Sequence, residues 1–192
     1  MSARALVRGF GTPTGISTHV EERACALNES ESSSSSSRKV QQALAAAGIA
    51  TRVVELPQSA HTAAEAAAAI GCRLEQIAKS LVFRRQDSGE PVLVIASGGN
   101  RVNEQQVARH LGAAIDKADA GFVRALTGFA IGGVPPLGHD TPLRTLVDEA
   151  LLAFDVVWAA AGTPRSVFSI SPAQLVAATG AAVIAVAADD QR

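Results

Sequence analysis

The sequence has little cysteine. Cys25 and Cys72 are the two in 192 residues, far apart and in no CxxC pair, which excludes a disulfide framework and a zinc site built on paired thiolates. A reducing cytoplasm is the compartment this usage predicts. An excess of charge of one sign is missing too. Seventeen Lys and Arg against eighteen Asp and Glu leave a formal net charge of −1, so no overall basic field marks a nucleic-acid partner, and any such contact must come from a local patch. Long apolar runs are absent. The longest are alanine-rich and fall well short of the roughly twenty residues that span a bilayer, which predicts a soluble chain with no membrane partner. What is present is 47% hydrophobic and 18% charged residues, enough to bury one good core and so one globular domain.

Residues 1–37 differ in texture from the rest. They hold the serine run 32–37, scattered Gly and Thr, and little apolar periodicity, and they read as a disordered extension. Arg4 and Arg8 stand without an acid in the first ten residues, as in a transit peptide, but Glu21, Glu22, Glu29 and Glu31 follow, which favours a solvated tail. The domain is expected over 38–192. Ser37 is placed to cap a helix running to Ala47 that Gly48 ends. Thr62 and Glu65 form a T-x-x-E capping box for a helix closed by Gly71. Asn103 caps a helix with Val107 and Leu111 on one face, ended by Gly112, and Ser171 with Pro172 opens a last helix that stops at Gly180. Strand-like runs cover 51–56, 78–85, 91–96, 156–160, 167–170 and 183–186. The short gap around Asp87, Ser88 and Gly89 predicts an antiparallel hairpin. The expected class is α/β (α+β), with a mixed or mainly antiparallel sheet.

Candidate chemistry lies where these local rules break. Period-two alternation puts Lys79 on one strand face with Leu81 and Phe83. One reading is a lysine reaching past apolar neighbours to water. The other is a positioned ammonium, which in a half-apolar pocket polarises a carbonyl or attracts a phosphate more strongly than in bulk water. Segment 127–139, with four glycines and two prolines, fits neither a regular helix nor a central strand. It reads as a rigid connection or as a loop whose glycines let a substrate approach main-chain N–H groups. It is neither a Walker loop nor a Rossmann fingerprint. Segment 98–101 reads as a turn leading into the Asn103 helix.

Lys79 within Ile-Ala-Lys-Ser-Leu-Val-Phe, Asn-Arg-Val ahead of a helix, Thr-Gly-Phe leading into Gly-Gly-Val-Pro-Pro-Leu-Gly-His, and Ala-Ala-Gly after Trp158 resemble the YbaK/ProX aminoacyl-tRNA deacylases in order and spacing. These are freestanding relatives of the editing domain inserted in bacterial prolyl-tRNA synthetases. The resemblance covers 38 to the C-terminus and implies a curved, mostly antiparallel mixed sheet with flanking helices. It implies that Lys79 contacts the substrate near its ester, and that the main chain of Gly132, Gly133, Val134, Pro135 and Pro136 lines the aminoacyl pocket. It implies no metal, no other cofactor and no covalent intermediate. The partners it implies are mischarged tRNA, with tRNA(Pro) favoured, and transiently prolyl-tRNA synthetase or an elongation factor, but not DNA.

His139 closes the loop and is read as shaping the pocket or bonding to main chain in preference to acting as a general base. The small residues from Ala159 through Ala160 to Gly162 suit a pocket for a small aliphatic side chain. The cysteine-removing branch of the family carries a Ser and an Asp where this sequence offers Ala160 and Val167, which moves the expected substrate from cysteine to alanine or another small amino acid. A cysteinyl-tRNA(Pro) deacylase and a non-catalytic tRNA-binding or regulatory module of the same fold are the alternatives. A metallohydrolase built from His61, His110 and His139 is weakest, because no HxxxH or HxxE pair sets two ligands on one helix face.

Overall fold

The computed structural model describes residues 34–187. Helix α1 is Ser35–Ala46, followed by the short strand β1, Val54–Glu55. Helix α2 is Ala63–Ile70, and a 3-10 turn, Leu74–Gln76, leads into β2, Ile77–Arg85. Strand β3 is Pro91–Ser97, α3 is Glu104–Leu111, β4 is Ile115–Lys117 and α4 is Ala120–Thr127. Strand β5, Arg144–Asp148, runs into a second 3-10 turn, Glu149–Ala153. Strands β6, Val157–Ala160, and β7, Ser166–Ile170, precede α5, Pro172–Thr179, and β8, Ala182–Ile184.

The caps explain where the helices begin and end. The Thr62 side chain accepts the Glu65 N–H, the Asn103 side chain accepts those of Gln105 and Gln106, and the Ser171 side chain accepts that of Gln174. The three helices end at Gly71, Gly112 and Gly180, each in the left-handed region that glycine enters at no steric cost. The first helix differs from expectation. Its cap is Ser34, whose Oγ accepts the Ser37 N–H, so the last serines of the run are helical and the ordered domain starts before residue 38. Ser37 is fully buried, and its Oγ lies 2.7 Å from Ser166 Oγ. The rest of the expected extension, residues 1–33, lies outside the described residues.

Eight strands form one mixed sheet in the order β1-β7-β6-β2-β3-β5-β8, with β4 also against β2. The pairings β1·β7, β2·β3, β2·β4 and β6·β7 are antiparallel, and β2·β6, β3·β5 and β5·β8 are parallel. The β2–β3 hairpin is as expected. Strands β4 and β5 escape sequence patterning because they are short or carry charge at their ends, whereas α4, capped by Asp119 and ended by Gly128 like the other helices, is simply absent from the expected elements. Helices cover both faces. On one face Val40 and Leu44 of α1, Val123 of α4 and Leu175 of α5 pack on Leu93, Ile95, Val147 and Phe168. On the other, α2 covers Ile77, Trp158 and Val167 through Ala67 and Ile70, while Val107 and Leu111 of α3 cover Phe83, Val92, Val94 and Leu146. Between those two clusters the middle of β2 is only half-buried, although β2 is central and its neighbour β3 is buried from Val92 to Ser97. Among the described residues no helix is long and apolar enough to cross a membrane.

Candidate active site at the gap beside strand β2

Strand β2 is fully paired with β3, from Ala78 to Arg84. Its other edge is shared. The β6 ladder ends at Ala78 and the β4 ladder begins at Phe83, so the strands on that side splay apart along residues 79–81. A cavity of about 280 Å³ fills the opening. Its walls are Ala60, Ala63, Ala66 and Ile70 around α2, Ile77 to Leu81 of β2, Trp158 to Ala160 of β6, and Thr163, Pro164, Ser166 and Val167. Small and apolar side chains dominate because α2 is nearly all alanine and lies close to the sheet. A second, wider cavity of about 590 Å³ adjoins the first, sharing Lys79, Ser80, Leu81, Ile131, Gly132 and Val134 with it. This one carries Arg101, Glu104 and Lys117. Lys79 therefore stands where an apolar chamber meets a charged one.

The Lys79 ammonium is held by main-chain carbonyls. It donates to Gly98 O at 3.3 Å and to Asn100 O, which engages two of its three N–H donors and leaves the third for a ligand. Burial pulls its pKa below the ordinary lysine value, the Asp148 carboxylate acts in the opposite sense, and Arg101 lowers it further. The turn that supplies the two carbonyls is itself fixed. Asp148, 1% exposed, accepts the Ser97 N–H at 3.0 Å and the Asn100 side-chain amide at 2.8 Å through Oδ2, and the Ala150 N–H at 3.1 Å through Oδ1. Gly98 is required there: a Cβ would sit 2.2 Å from Leu74 O. The sequence of 98–101 marks only a turn, and the role of Asp148 is not legible, since a lone acid ending a strand carries no distinguishing signal.

Of the residues expected in the pocket, Lys79, Gly132, Val134 and Ala160 line the cavity, and so do Val167 and His61. Ala160 and Val167 are cross-strand partners in the β6–β7 ladder, which is why one substitution pattern affects one wall. Five expected residues are placed otherwise. The Gly133 N–H donates to Ala130 O and its carbonyl accepts the Gly162 N–H, both at 3.0 Å, and a Cβ on Gly133 would lie 2.8 Å from the Thr163 main chain. Gly133 thus locks two loops together and has no N–H to offer a substrate. Pro135 and Pro136 are buried beneath the loop. Gly162, at φ +95°, lets the Ser36 main chain approach where a Cβ would lie 2.9 Å away. His139 Nε2 is 2.8 Å from Pro135 O, with its ring edge-on to Phe129 at 6.2 Å. Lys39 of α1 lies over the Phe129 ring at 4.9 Å and pairs with Asp140 at 2.5 Å. This cluster ties the loop to α1, and His139 lies outside both cavities. His110 is exposed near the end of α3. Among the described residues no three His, Cys, Asp or Glu gather to hold a metal ion.

Residues 57–178 match the model of a family described as the aminoacyl-tRNA editing domain. The chain is 31% identical over 123 residues to the uncharacterized protein YwhH of Bacillus subtilis (strain 168), a match spanning 64% of this chain and 78% of that one. It is 35% identical over 96 residues to a proline–tRNA ligase of Limosilactobacillus fermentum, covering 48% of this chain but 17% of the ligase, so the likeness is to a segment of that enzyme. A crystal structure of a candidate trans-editing enzyme for prolyl-tRNA synthetase superposes with a TM-score of 0.79 at 48% identity, over 82% of this chain and all of that one.

Proposed function

Because the chain belongs to the aminoacyl-tRNA editing-domain family, we propose that it hydrolyses the ester of mischarged tRNA, with tRNA(Pro) bearing alanine or another small amino acid as its substrate. The observation that carries this reading is the position of Lys79 between the small apolar chamber and the chamber holding Arg101 and Lys117. The aminoacyl side chain would enter the first, the terminal nucleotide of the tRNA would lie in the second, and the ester would fall beside the ammonium. An aminoacyl ester is already activated, so orientation and charge stabilisation supply most of what hydrolysis needs. The oxygen of one water bonds to the carbonyl carbon, and the carbonyl electron pair moves onto its oxygen, where the third Lys79 N–H meets the developing charge. The C–O ester bond then breaks, the ribose oxygen takes up one proton from the water, and the amino acid leaves as its carboxylate with the other proton lost to solvent.

The alanines around the cavity and the Ala160–Val167 pair favour sorting by size over recognition of a thiol. A methylene is worth only about 1–3 kcal/mol in such a pocket, so small neighbours should be partly accepted. The test is a panel of alanyl, 2-aminobutyryl, cysteinyl and prolyl esters on tRNA(Pro), with wild type and Ala160→Val. Alanyl and 2-aminobutyryl esters should turn over faster than cysteinyl, prolyl should be spared, and Ala160→Val should slow the larger substrate most, because overpacking excludes volume and leaves Lys79 in place. Preference for the cysteinyl ester would return the protein to the cysteine-removing branch. Binding of tRNA without turnover of any ester would make it a non-catalytic module.

A further inference from the structure

The open stretch of β2 exposes main-chain groups whose direction follows from the register. Arg85 N–H donates to Glu90 O across the hairpin, and the β2–β3 pairing keeps one register from Ala78 to Arg84. Odd-numbered residues of β2 therefore direct their N–H and C=O toward β3, because antiparallel hydrogen-bonded pairs recur every second residue. Even-numbered ones face the other edge. There Gln86 N–H donates to Ala114 O, and Val82 O accepts the Ala118 N–H. Ser80 is the next even residue, and neither neighbour reaches it. The β4 ladder stops short of it as the chain turns at Asp119 into α4, and the β6 ladder ends at Ala78. The Gly162 N–H, which would meet Ser80 O if that parallel ladder continued, goes to Gly133 O. Both banks of this break line the small cavity, Ala78 to Leu81 on one side and Ala159 and Ala160 on the other. A main-chain N–H and C=O that no described residue pairs on a central strand are an edge in the middle of a sheet, a template for an extended ligand.

We infer that the aminoacyl group docks on this break as a one-residue strand, with the Ser80 main-chain N–H donating to the ester carbonyl oxygen and the Ser80 C=O accepting the α-ammonium. This rests on the proposed deacylation. An α-aminoacyl ester carries the same N–Cα–C=O unit as a peptide residue, so in extended form it presents its amine and carbonyl oxygen on one side, matching the two Ser80 groups. The assignment also supplies the main-chain donor that Gly133, bonded to Ala130 O, does not. It makes the Ser80 N–H and the Lys79 ammonium joint stabilisers of the oxyanion and, because paired residues share a face, turns the side chain to the face of Ala78 and Val82, where Val134 lines the same cavity.

The experiment compares Ser80→Ala with the same position carrying lactic acid, the α-hydroxy analogue of alanine. The two proteins share a side chain, and the lactic-acid protein lacks the N–H of residue 80 and has a weaker acceptor at the Lys79 C=O, which faces β3. On alanyl-tRNA(Pro) the lactic-acid protein should be slower in kcat/KM by about 100-fold, the loss typical of one oxyanion donor, with only the small fall in melting temperature that a weaker Lys79 C=O in the β3 ladder brings. A propionyl ester, which lacks the ammonium, should raise KM about 10-fold in Ser80→Ala. Equal turnover of the two proteins, or a fall in melting temperature as large as that caused by the α-hydroxy analogue of leucine at Leu81, whose N–H faces β3, overturns the proposal. An unchanged KM for the propionyl ester removes the C=O contact. If Lys79→Met still abolishes turnover while the lactic-acid protein is normal, only this assignment fails. If no ester is hydrolysed by wild type, the deacylase reading fails with it.

Discussion

Asn100 links the buried carboxylate of Asp148 to the Lys79 ammonium: its side-chain amide donates to Asp148 Oδ2 at 2.8 Å, and its own carbonyl accepts from Lys79 Nζ. Asp148 thereby acts on Lys79 twice, by fixing the turn that holds the ammonium and by its charge, which raises the Lys79 pKa against burial. Asp148→Asn should lower kcat by about 10- to 100-fold, the scale of a small misplacement of a reacting group. It should also move the alkaline limb of the pH–rate profile to lower pH. Arg101 lowers the Lys79 pKa, so Arg101→Gln should move that limb the other way. A purely structural role for Asp148 would leave the limb where it is in the active fraction.

Lys79→Met should lose about 100-fold or more in deacylation without a fall in melting temperature at neutral pH. The sign follows from burial. The folded pKa of Lys79 lies below the unfolded one, so the charged form is disfavoured by folding, and this destabilisation is present below the folded pKa and disappears as pH rises through the unfolded value. Removing the charge removes the penalty. Thermal melting beside single-turnover rates checks both halves, and near-normal turnover of a folded variant would remove Lys79 from the chemistry.

Burial also holds the His139 pKa below its ordinary value of 6.5, with the Pro135 carbonyl opposing. A histidine that folds in its neutral form contributes stability above its unfolded pKa and loses it as pH falls below about 6.5 and through the lower folded value. The melting temperature of wild type should therefore drop more between about pH 7.5 and about pH 5, roughly 1 unit above and 1.5 units below 6.5, than that of His139→Gln. Deacylation at neutral pH should change little, since the ring lies outside both cavities. Parallel pH–melting curves of the two proteins would contradict the assignment.

The serine run divides at its cap. Removal of residues 1–33 should leave activity and melting temperature nearly unchanged, because the Ser34 cap and the helix it opens are kept. Removal through Ser36 deletes the Ser34 cap and the Ser36 contact with Gly162, and should cost about 1 kcal/mol from the cap alone. Chemical denaturation of the two truncations measures the difference, and equal midpoints would show that the run contributes nothing to the fold.

The helix caps were legible because each is a short-range exchange between a side chain and main-chain N–H groups three or fewer residues away: Thr62, Asn103 and Ser171 announce themselves locally, as do the glycines that follow. The β2–β3 hairpin was legible for the same reason. Ser34 was obscured by a run of identical residues, any of which can cap, and the choice fell to the burial of Ser37 against Ser166. Lys79 stood out because one cation interrupts an apolar row. Gly133, Pro135, Pro136, His139 and Gly162 stood out as well, yet their composition records only that a loop is rigid, and rigidity serves packing against Thr163, Phe129 and α1 as readily as it serves a pocket.

The sequence by itself determined the local elements, the apolar stripes that bring α2 and α3 onto one face, and the residues of unusual type, since propensity, capping and periodicity act within a few positions. Only the tertiary structure decided that β6 and β4 stop short of each other beside Ser80, that Asn100 and Asp148 hold Lys79, and that Ala160 and Val167 share a wall. Those depend on where ladders between distant segments end, which is set by packing across the whole sheet and leaves no mark on any single strand.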